Sequence, residues 1–328
     1  MDHRCSPSSV AQSIRGYAGV TRKHMIGDLV RWLGVNSREI LANFGEDAAV
    51  IRRNDDSLLL ATDGIWSLLM EADPYWAGYC AVLVNIHDIA AMGGVPLAMV
   101  DVLSVSNRDI CKEVGKGMST ASEQFGVPIV GGHLHPDTPY NVVDVAILGI
   151  VRSDDIIYSH TAQEGDQIVV AIDLDGRVHP SVSLNWDSVT MKTSDQVQAQ
   201  IAVMQELGRE HLVTAGKDIS NPGAIGTLGM LLEVSRKGAD VNLDALPRPD
   251  LKKHGLQFEQ WVRMYPGMGF VVTCREENTE EVCRRFGERG LTAQVVGTVT
   301  DSRSLAVTYR DETTEVFDLE HDGVMGLC

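Results

Sequence analysis

The chain has 328 residues and an apolar fraction of 44%, enough for two domains of ordinary size with real cores. Its 28 lysines and arginines stand against 45 aspartates and glutamates, a formal net charge of −17 at pH 7. So acidic a surface repels phosphate backbones and anionic lipid, which argues against nucleic acid or a membrane surface as a general partner.

The cysteines and the apolar runs indicate the compartment. Six cysteines lie far apart without a C-x-x-C pair, which argues against a zinc knuckle, a thioredoxin-type site or a disulfide framework. The first thirty residues lack a signal-peptide pattern, and no apolar run approaches a membrane span. We therefore expect a soluble, cytoplasmic protein with reduced thiols.

The first half of the chain alternates helical and strand patterns. Apolar residues recur at helical spacing over residues 21–33, between a capping Thr21 and a stop at Gly34. Asp73 and Pro74 start a second helix that can run to Met92, and Asn107 caps a third. Strands are predicted at residues 50–51 and 58–62, which form a hairpin, at 97–105, which should be buried, and at 127–130 and 142–151.

The pattern restarts after Gly149, and we place a domain boundary within residues 152–159. This gives an N-terminal domain of residues 1–151 and a C-terminal domain of residues 152–328. The predicted C-terminal elements are a strand at 167–172, helices after Ser194 and after Asn221-Pro222, and a β-α-β unit of strand 269–274, a helix capped by Asn278 and strand 292–299. Each half mixes strands with two amphipathic helices, so the fold class is α+β rather than a doubly wound sheet.

One carboxylate stands in an unexpected setting, the segment NIHDIAAMGGVP at the end of the second helix. Asn85 and Asp88 are three residues apart, so they share one side of a helix crowded with small residues. An unpaired carboxylate there is costly unless it is exposed, hydrogen-bonded or bound to a cation. The simplest interpretation is an exposed aspartate near a helix end.

Two further carboxylates stand at strand ends beside glycine. Asp47 precedes a strand in GEDAAVI, and Asp63 follows one in LLLATDGIW. At such positions a ligand can reach both backbone amides and oxygen ligands. Ordinary turn chemistry is the alternative interpretation. In so acidic a chain, divalent cations that bridge carboxylates to phosphates would make nucleotide binding possible, and Mg²⁺ is the first cofactor to consider.

Five motifs together resemble a known family. GEDAAVI, LLLATDGIW, NIHDIAAMGGVP, VPIVGGH and KDIS occur in the order seen in the AIR synthase (PurM-like) superfamily, across roughly residues 20–300. That superfamily includes thiamine-monophosphate kinase, the hydrogenase maturation protein HypE and selenophosphate synthetase. The runs DPYWAGYCAVLVNIHDIAAMGG and VGGHLHPDTPYN resemble the AIR synthase-related group called methanogenesis marker protein 2.

The resemblance implies a fold, cofactors and site residues. It implies a two-domain PurM-like fold with a mixed α/β N-terminal domain whose sheet forms a barrel across a homodimer, and an α+β C-terminal domain. ATP would bind at the seam. The residues that match the superfamily's Mg²⁺- and ATP-binding positions are Asp47, Asp63, Asp88, Gly131, Gly132 and, in the second domain, Asp218, which is also a catalytic candidate.

The sequence departs from its relatives at two places. His133 follows Gly131-Gly132 where the kinase and HypE have aspartate, and it is a catalytic or substrate-binding candidate. Asn221-Pro222 follows Ser220 in place of an expected metal ligand, which argues against thiamine-monophosphate kinase activity. His135, Asp137 and Asn221 are further substrate-binding candidates. Two alternatives to substrate binding are open for His133 and His135. They can pair with Asp137, or they can bind a transition metal.

Four aromatic residues cluster around the start of the second helix: Trp66, Tyr75, Trp76 and Tyr79. We interpret them as core or dimer packing rather than a base-stacking platform, with Trp76 buried by a second chain.

The leading functional hypothesis is ATP- and Mg²⁺-dependent phosphoryl transfer to an oxygen of a small molecule or modified protein group. Such a reaction would be of the kinase type or of the ATP-dependent dehydration or cyclisation type. The alternative is a non-catalytic ATP-binding assembly or maturation protein, and a third hypothesis is a histidine-centred metal-binding protein. The acceptor is not identified by sequence, and a role in methanogenesis follows only by family association.

Overall fold

The computed structural model describes residues 6–35 and 37–327. The helices are α1 (Pro7–Arg15), α2 (Ala18–Thr21), α3 (Met25–Leu33), α4 (Ser67–Ala72), α5 (Pro74–Ala91), α6 (Arg108–Phe125), α7 (Ser194–Arg209), α8 (Gly223–Ser235), α9 (Phe258–Trp261) and α10 (Thr279–Glu288). The strands are β1 (Ile40–Ala42), β2 (Ala49–Arg53), β3 (Asp56–Ile65), β4 (Val95–Ser104), β5 (Ile129–His135), β6 (Val142–Arg152), β7 (Gln167–Ile172), β8 (Arg177–His179), β9 (Val182–Asp187), β10 (Ala215–Asp218), β11 (Gly238–Asn242), β12 (Gly269–Cys274), β13 (Thr292–Thr300), β14 (Ser304–Tyr309) and β15 (Glu312–Asp318).

The N-terminal half forms a six-stranded sheet in the order β1-β2-β3-β6-β4-β5. Neighbouring strands are antiparallel except β4 and β5, which are parallel and joined through α6. Helix α5 packs on β3 and β6, and α6 packs on α5, so one face of the sheet is covered. The other face carries exposed apolar side chains, among them Leu60, Val100 and Val102.

The C-terminal half forms a seven-stranded sheet in the order β10-β12-β7-β13-β11-β14-β15, and β8 with β9 forms a separate hairpin. Helix α10 packs on β13, and α8 packs on β10 and β12. Helix α1, although first in the chain, packs against β15 and α9 of this half. The α+β class and the two-domain arrangement of mixed sheets are therefore confirmed.

Most predicted element types are confirmed, with one correction in helix bounds and one in burial. The predicted hairpin is β2–β3, Asp73 accepts a hydrogen bond from the Trp76 amide at 3.0 Å, and Asn107 caps α6. The helix predicted over residues 21–33 begins only at Met25, and its apolar residues Met25, Leu29 and Trp32 are exposed. Strand β4 alternates between exposed and buried residues, because only one face of its sheet is covered.

The prediction that a second chain buries Trp76 was wrong. Trp76 is 1% exposed within this one chain, where its ring lies 4.8 Å from the His179 ring and 5.5 Å from the Tyr79 ring. Its indole nitrogen donates to Asn185 Oδ1 at 2.8 Å. The β8–β9 hairpin of the C-terminal half, rather than a second chain, therefore covers Trp76.

The remaining sequence expectations concern cysteines and membrane spans. Cys80, Cys111, Cys274 and Cys283 are free thiols, while Cys5 and Cys328 lie outside the described residues. Within residues 6–35 and 37–327, none of the helices combines the length and the apolarity needed to span a bilayer.

Helices α5 and α6 approach each other closely at glycines. A Cβ atom on Gly117 of α6 would fall on the carbonyl oxygen of Tyr75, and one on Gly78 of α5 on that of Val114. Gly115, two residues from Gly117 on the same helix, has open space where its Cβ would be. The close contact, rather than helix propensity, therefore explains Gly117.

We expect Gly117→Ala to destabilise the protein by about 1–3 kcal/mol, because backbone atoms must move to admit the methyl group. The matched control Gly115→Ala should be neutral or stabilising by up to about 1 kcal/mol, because alanine favours the helix. Chemical denaturation of the two variants checks this. Equal effects of the two substitutions would contradict the packing argument.

Candidate functional site

Residues from both halves of the chain line one cavity of about 320 Å³. The N-terminal half contributes the loop before β2, the end of β3 and one residue of α5, and the C-terminal half contributes β10 and the residue after Ile219. We call it the acidic cavity; its charged lining consists of Lys23, Glu46, Asp47, Asp63, Asp88, Lys217 and Asp218.

The structure brings together the four aspartates singled out by sequence. Asp47, Asp88 and Asp218 each offer a carboxylate oxygen, and these oxygens lie within 4.8 Å of one another. Asp63 lines the same cavity at its more exposed side. Because the residues are 171 positions apart at the extremes, only the packing of the two halves creates this cluster.

The carboxylates perturb one another strongly. The pKa of Asp88 lies well above its ordinary value, first because burial disfavours the charged form and then because three neighbouring aspartates repel it. Burial raises the pKa of Asp218 to about 8, and the charge of Asp47 adds to the shift. Without a bound cation, the cluster therefore holds protons that an isolated aspartate would release.

Two lysines, which the sequence interpretation missed, supply positive charge to the cavity. Lys217, 4% exposed, forms a salt bridge with Asp47 and donates to the Gly45 carbonyl at 3.3 Å. Burial lowers the pKa of Lys217, but Asp47 outweighs burial, so the net pKa is raised and the ammonium is retained. Lys23 also lines the cavity. The sequence could have indicated Lys217, because it is the first residue of the motif KDIS beside Asp218. Lys23 lies in none of the five motifs, so no sequence signal indicated it.

Asn85 explains how Asp88 is positioned. Asn85 is fully buried; its Oδ1 accepts from the Asp63 amide at 3.2 Å and its Nδ2 donates to the Ala81 carbonyl at 2.8 Å. The bond from the Asp63 amide ties α5 to the end of β3, and the bond to Ala81 fixes the Asn85 side chain on its own helix. Asp88, one turn further along α5, then faces the same cavity as Asp63.

The two glycines after α5 lie outside the acidic cavity. Gly93 has φ +74° and ends the helix, while a Cβ on Gly94 would meet Leu59 Cδ1 and the Ile89 carbonyl. Both glycines are buried and neither lines the acidic cavity. Gly93 therefore turns the chain after α5, and Gly94 allows close packing against the core.

Glu46, also missed by sequence, connects the cavity to the segment that joins the two halves. Its carboxylate accepts from the Ser159 amide at 2.7 Å and pairs with His160 Nδ1. The hydrogen bond that His160 donates to the Glu46 carboxylate raises the pKa of His160. This link holds the Asp47 loop against the C-terminal half.

Five predicted site residues lie elsewhere. Gly131, Gly132, His133 and His135 are on the edge strand β5, and Asp137 follows it; none of them lines the acidic cavity of this chain. The His133 and His135 rings lie 4.5 Å apart and are exposed, as expected for residues two apart in a strand. Their assigned roles stay predictions.

Asn221 lies beside the cavity rather than on its lining. Its Oδ1 accepts from the Tyr17 hydroxyl at 2.9 Å, and its Nδ2 is buried with no hydrogen-bond partner among the described residues. The preceding Ser220 does line the acidic cavity. A substrate-binding role for Asn221 stays a prediction.

Comparison with other proteins gives the same assignment for both halves of the chain. Residues 45–151 match AIR synthase related protein, N-terminal domain, and residues 163–310 match AIR synthase related protein, C-terminal domain. An uncharacterized protein of Methanocaldococcus jannaschii is 45% identical over 97% of this chain and 98% of its own length. The selenide, water dikinase of Carboxydothermus hydrogenoformans is 24% identical over 91% of this chain and 97% of its own.

A solved structure shares the fold. T. maritima PurL complexed with ADP superposes with a TM-score of 0.78 at 21% identity, covering 96% of this chain. The chain spans about half of that protein, 51% of its length. The fold and the clustered carboxylates thus define a two-domain protein of the PurM-like class. The chain belongs to the AIR synthase related family, which confirms the resemblance drawn from its motifs.

The acidic cluster predicts an unusual dependence of stability on pH. A carboxyl group with a raised pKa in the folded chain, such as Asp218 at about 8 against 3.8, binds its proton more tightly when folded. Its contribution is present at low pH and is lost as the pH rises through the folded value. In chelator, the melting temperature should therefore fall between about pH 5 and pH 8.

The Asp218→Asn variant should show a smaller fall, because its amide does not titrate. Circular dichroism melts at a series of pH values test this. Asp240→Asn, an exposed residue of β11, is the matched control and should follow the wild type. Parallel curves for all three proteins would show that the cluster does not govern the pH dependence.

Proposed function

We propose that the protein catalyses ATP- and Mg²⁺-dependent phosphoryl transfer to an oxygen of a small molecule or modified protein group. The observation that carries this proposal is the convergence of Asp47, Asp88 and Asp218, with oxygens within 4.8 Å, in one cavity between the two halves. The similarity to a kinase that acts on selenide and water, and to PurL complexed with ADP, supports it.

The donor set fits magnesium. Mg²⁺ prefers hard oxygen ligands and is bound by a few carboxylates together with substrate phosphates. Asp47 Oδ2 is buried with no hydrogen-bond partner among the described residues, and a cation would satisfy it. Bound magnesium would neutralise charge on the phosphates, with Asp47, Asp63, Asp88 and Asp218 as its ligands.

The chain's own residues supply the rest of the electrostatics. Lys217 is held in place by Asp47 and by the Gly45 carbonyl, so its ammonium is already oriented before a phosphate arrives. Lys23 adds a second cation on the cavity lining. A phosphoryl group in transfer carries negative charge on its oxygens, and fixed cations stabilise it.

Asp88→Asn tests the proposal. We expect this substitution to weaken Mg²⁺-dependent ATP binding by roughly 100-fold or more, because a charged ligand at the centre of the cluster is lost. Isothermal titration calorimetry measures the binding, and ADP formation measures turnover. Asp240→Asn is the control for loss of an exposed carboxylate. Wild-type protein that binds no ATP with Mg²⁺ would refute the proposal.

The second candidate function is a non-catalytic ATP-binding assembly or maturation protein. Asn221-Pro222 follows Ser220 where relatives have a metal ligand, and this departure favours it. Tight ATP binding without ADP formation against any acceptor or cell extract would select this candidate. A histidine-centred metal protein has less support, because among the described residues only Asp47, Asp88 and Asp218 form a group of metal-ligating geometry.

We further propose a homodimer through the outer sheet face, defined as Leu60, Val100, Val102, Ala146 and Leu148. Cross-strand pairing sets Leu60 beside Leu148 and Val100 beside Ala146, so these residues form one continuous apolar surface. A monomer seldom leaves such a face exposed. His133 pairs with Val102 across β4 and β5, so a second chain on this face would contact His133.

Val102→Asp should raise the dimer dissociation constant by roughly 100-fold or more, because it places a charge in the interface beside Asp144. Size-exclusion chromatography with light scattering measures the change. Met191→Asp, which replaces another apolar residue that is 59% exposed but lies in neither sheet, should leave the dimer intact. A monomeric wild type would refute the dimer.

The link to methanogenesis stays a prediction.

A further inference from the structure

A second cavity, of about 420 Å³, lies beside the acidic one and has a different lining. We call it the aromatic cavity; its walls include Tyr17, Trp66, Leu68, Ser181, Leu184 and Tyr265. Its volume is typical of small-molecule sites, and an apolar lining with a few polar groups is what such sites use. Neither the resemblance nor the comparisons assign it a role.

Two chain segments contribute to both cavities. Along the first segment, Tyr17 lines the aromatic cavity and Lys23 the acidic one. Along the second, Asp63 lines the acidic cavity and Trp66, three residues later, the aromatic one. No residue lines both cavities, but these two short segments each run from one cavity to the other.

A third segment, the pair Ser220-Asn221, links the acidic cavity to Tyr17 on the wall of the aromatic cavity. Ser220 lines the acidic cavity, and Asn221 accepts the hydrogen bond from the Tyr17 hydroxyl at 2.9 Å. The Asn221 side chain is 5% exposed and its Nδ2 has no hydrogen-bond partner among the described residues. A buried donor left without a partner at this junction is costly unless a ligand accepts from it.

Two arginines place positive charge on the aromatic walls. The Arg22 guanidinium lies 4.8 Å from the Trp66 ring centroid, and that of Arg263 lies 5.5 Å from the Tyr17 ring centroid. Within residues 6–35 and 37–327, neither forms a salt bridge, although the chain carries a net charge of −17. Asp73, whose carboxylate accepts from Ser181, is already engaged as the cap of α5.

We propose that the aromatic cavity binds the phosphate acceptor, and that this acceptor is a small molecule with a planar ring and an anionic group. The ring would pack against Trp66 and Tyr17, and Arg22 would hold the anionic group on the side that faces Asp63. This inference rests on the proposed function, because it identifies the acceptor class for that reaction.

The transfer balances without a further reactant. An oxygen of the anionic group forms a bond to the γ-phosphorus of ATP while the bond from that phosphorus to the β,γ-bridging oxygen breaks. The electron pair of the broken bond leaves on ADP. An ionised acceptor oxygen has no proton to lose, so this step needs no general base.

The probe for the cavity is 1-anilinonaphthalene-8-sulfonate, an anion with a planar naphthalene ring that fluoresces in apolar sites. We expect one saturable site per chain, detected by energy transfer from tryptophan and displaced by phenyl phosphate or benzoate but not by neutral benzamide. Displacement by only one of the two anions would identify the anionic group as phosphate or carboxylate. Displacement by benzamide as well would overturn the charge requirement and with it the proposal.

Matched variants locate the probe. Arg22→Gln should weaken probe binding by roughly fivefold or more, and Trp66→Leu should remove most of the affinity. Arg52→Gln, an exposed arginine on β2, and Leu97→Ser, an exposed apolar residue on β4, should bind the probe as the wild type does. Arg22→Gln changes an exposed side chain, so the test stands even if Trp66→Leu fails to fold.

The outcome separates this inference from the proposed function. Unchanged probe binding in Arg22→Gln and in folded Trp66→Leu would overturn the aromatic cavity as the site, even if the wild type binds ATP with Mg²⁺. Absence of Mg²⁺-dependent ATP binding by the wild type would instead refute the phosphoryl transfer. The acceptor role would then be overturned, and probe binding would show only an anion site.

Discussion

Mutual repulsion among carboxylates at one buried place is the constraint on which the rest of this structure depends. Asp47, Asp88 and Asp218 come from a loop, a helix and a strand in two different halves, and their oxygens lie within 4.8 Å. Lys217 offsets part of this repulsion through its salt bridge with Asp47. A folded chain tolerates the remainder only by holding protons or binding cations.

Helix α5 makes that arrangement possible because it lies between the two halves. It packs on β3 and β6 on one side and on α7 and β10 on the other. From Trp76 to Ala91 every residue except Asp88 is buried. A helix that is apolar all round belongs inside a protein, and its small residues allow close approach. The single carboxylate that breaks this pattern is the one that faces the acidic cavity.

Three surfaces of the molecule differ in charge, and each suits a different kind of partner. The acidic cavity combines four aspartates with two lysines, the aromatic cavity beside it has arginines against its rings, and the outer sheet face is apolar. The acidic cavity suits cations and phosphates, and the aromatic cavity suits a ring that carries negative charge. The outer sheet face suits another copy of the chain. Shared segments such as 63–66 couple the first two.

The sequence by itself determined the element types, the α+β class and the family, because hydrophobic periodicity, caps and ordered motifs are local properties. It also identified Asp47, Asp63, Asp88 and Asp218, since each stands in a motif. Only the tertiary structure decided that α3 keeps its apolar face exposed and that the β8–β9 hairpin buries Trp76. It alone placed Lys23 beside Asp63 and left His133 on an edge strand. These outcomes depend on contacts between residues distant in sequence, and local patterns carry no information about which distant surfaces meet.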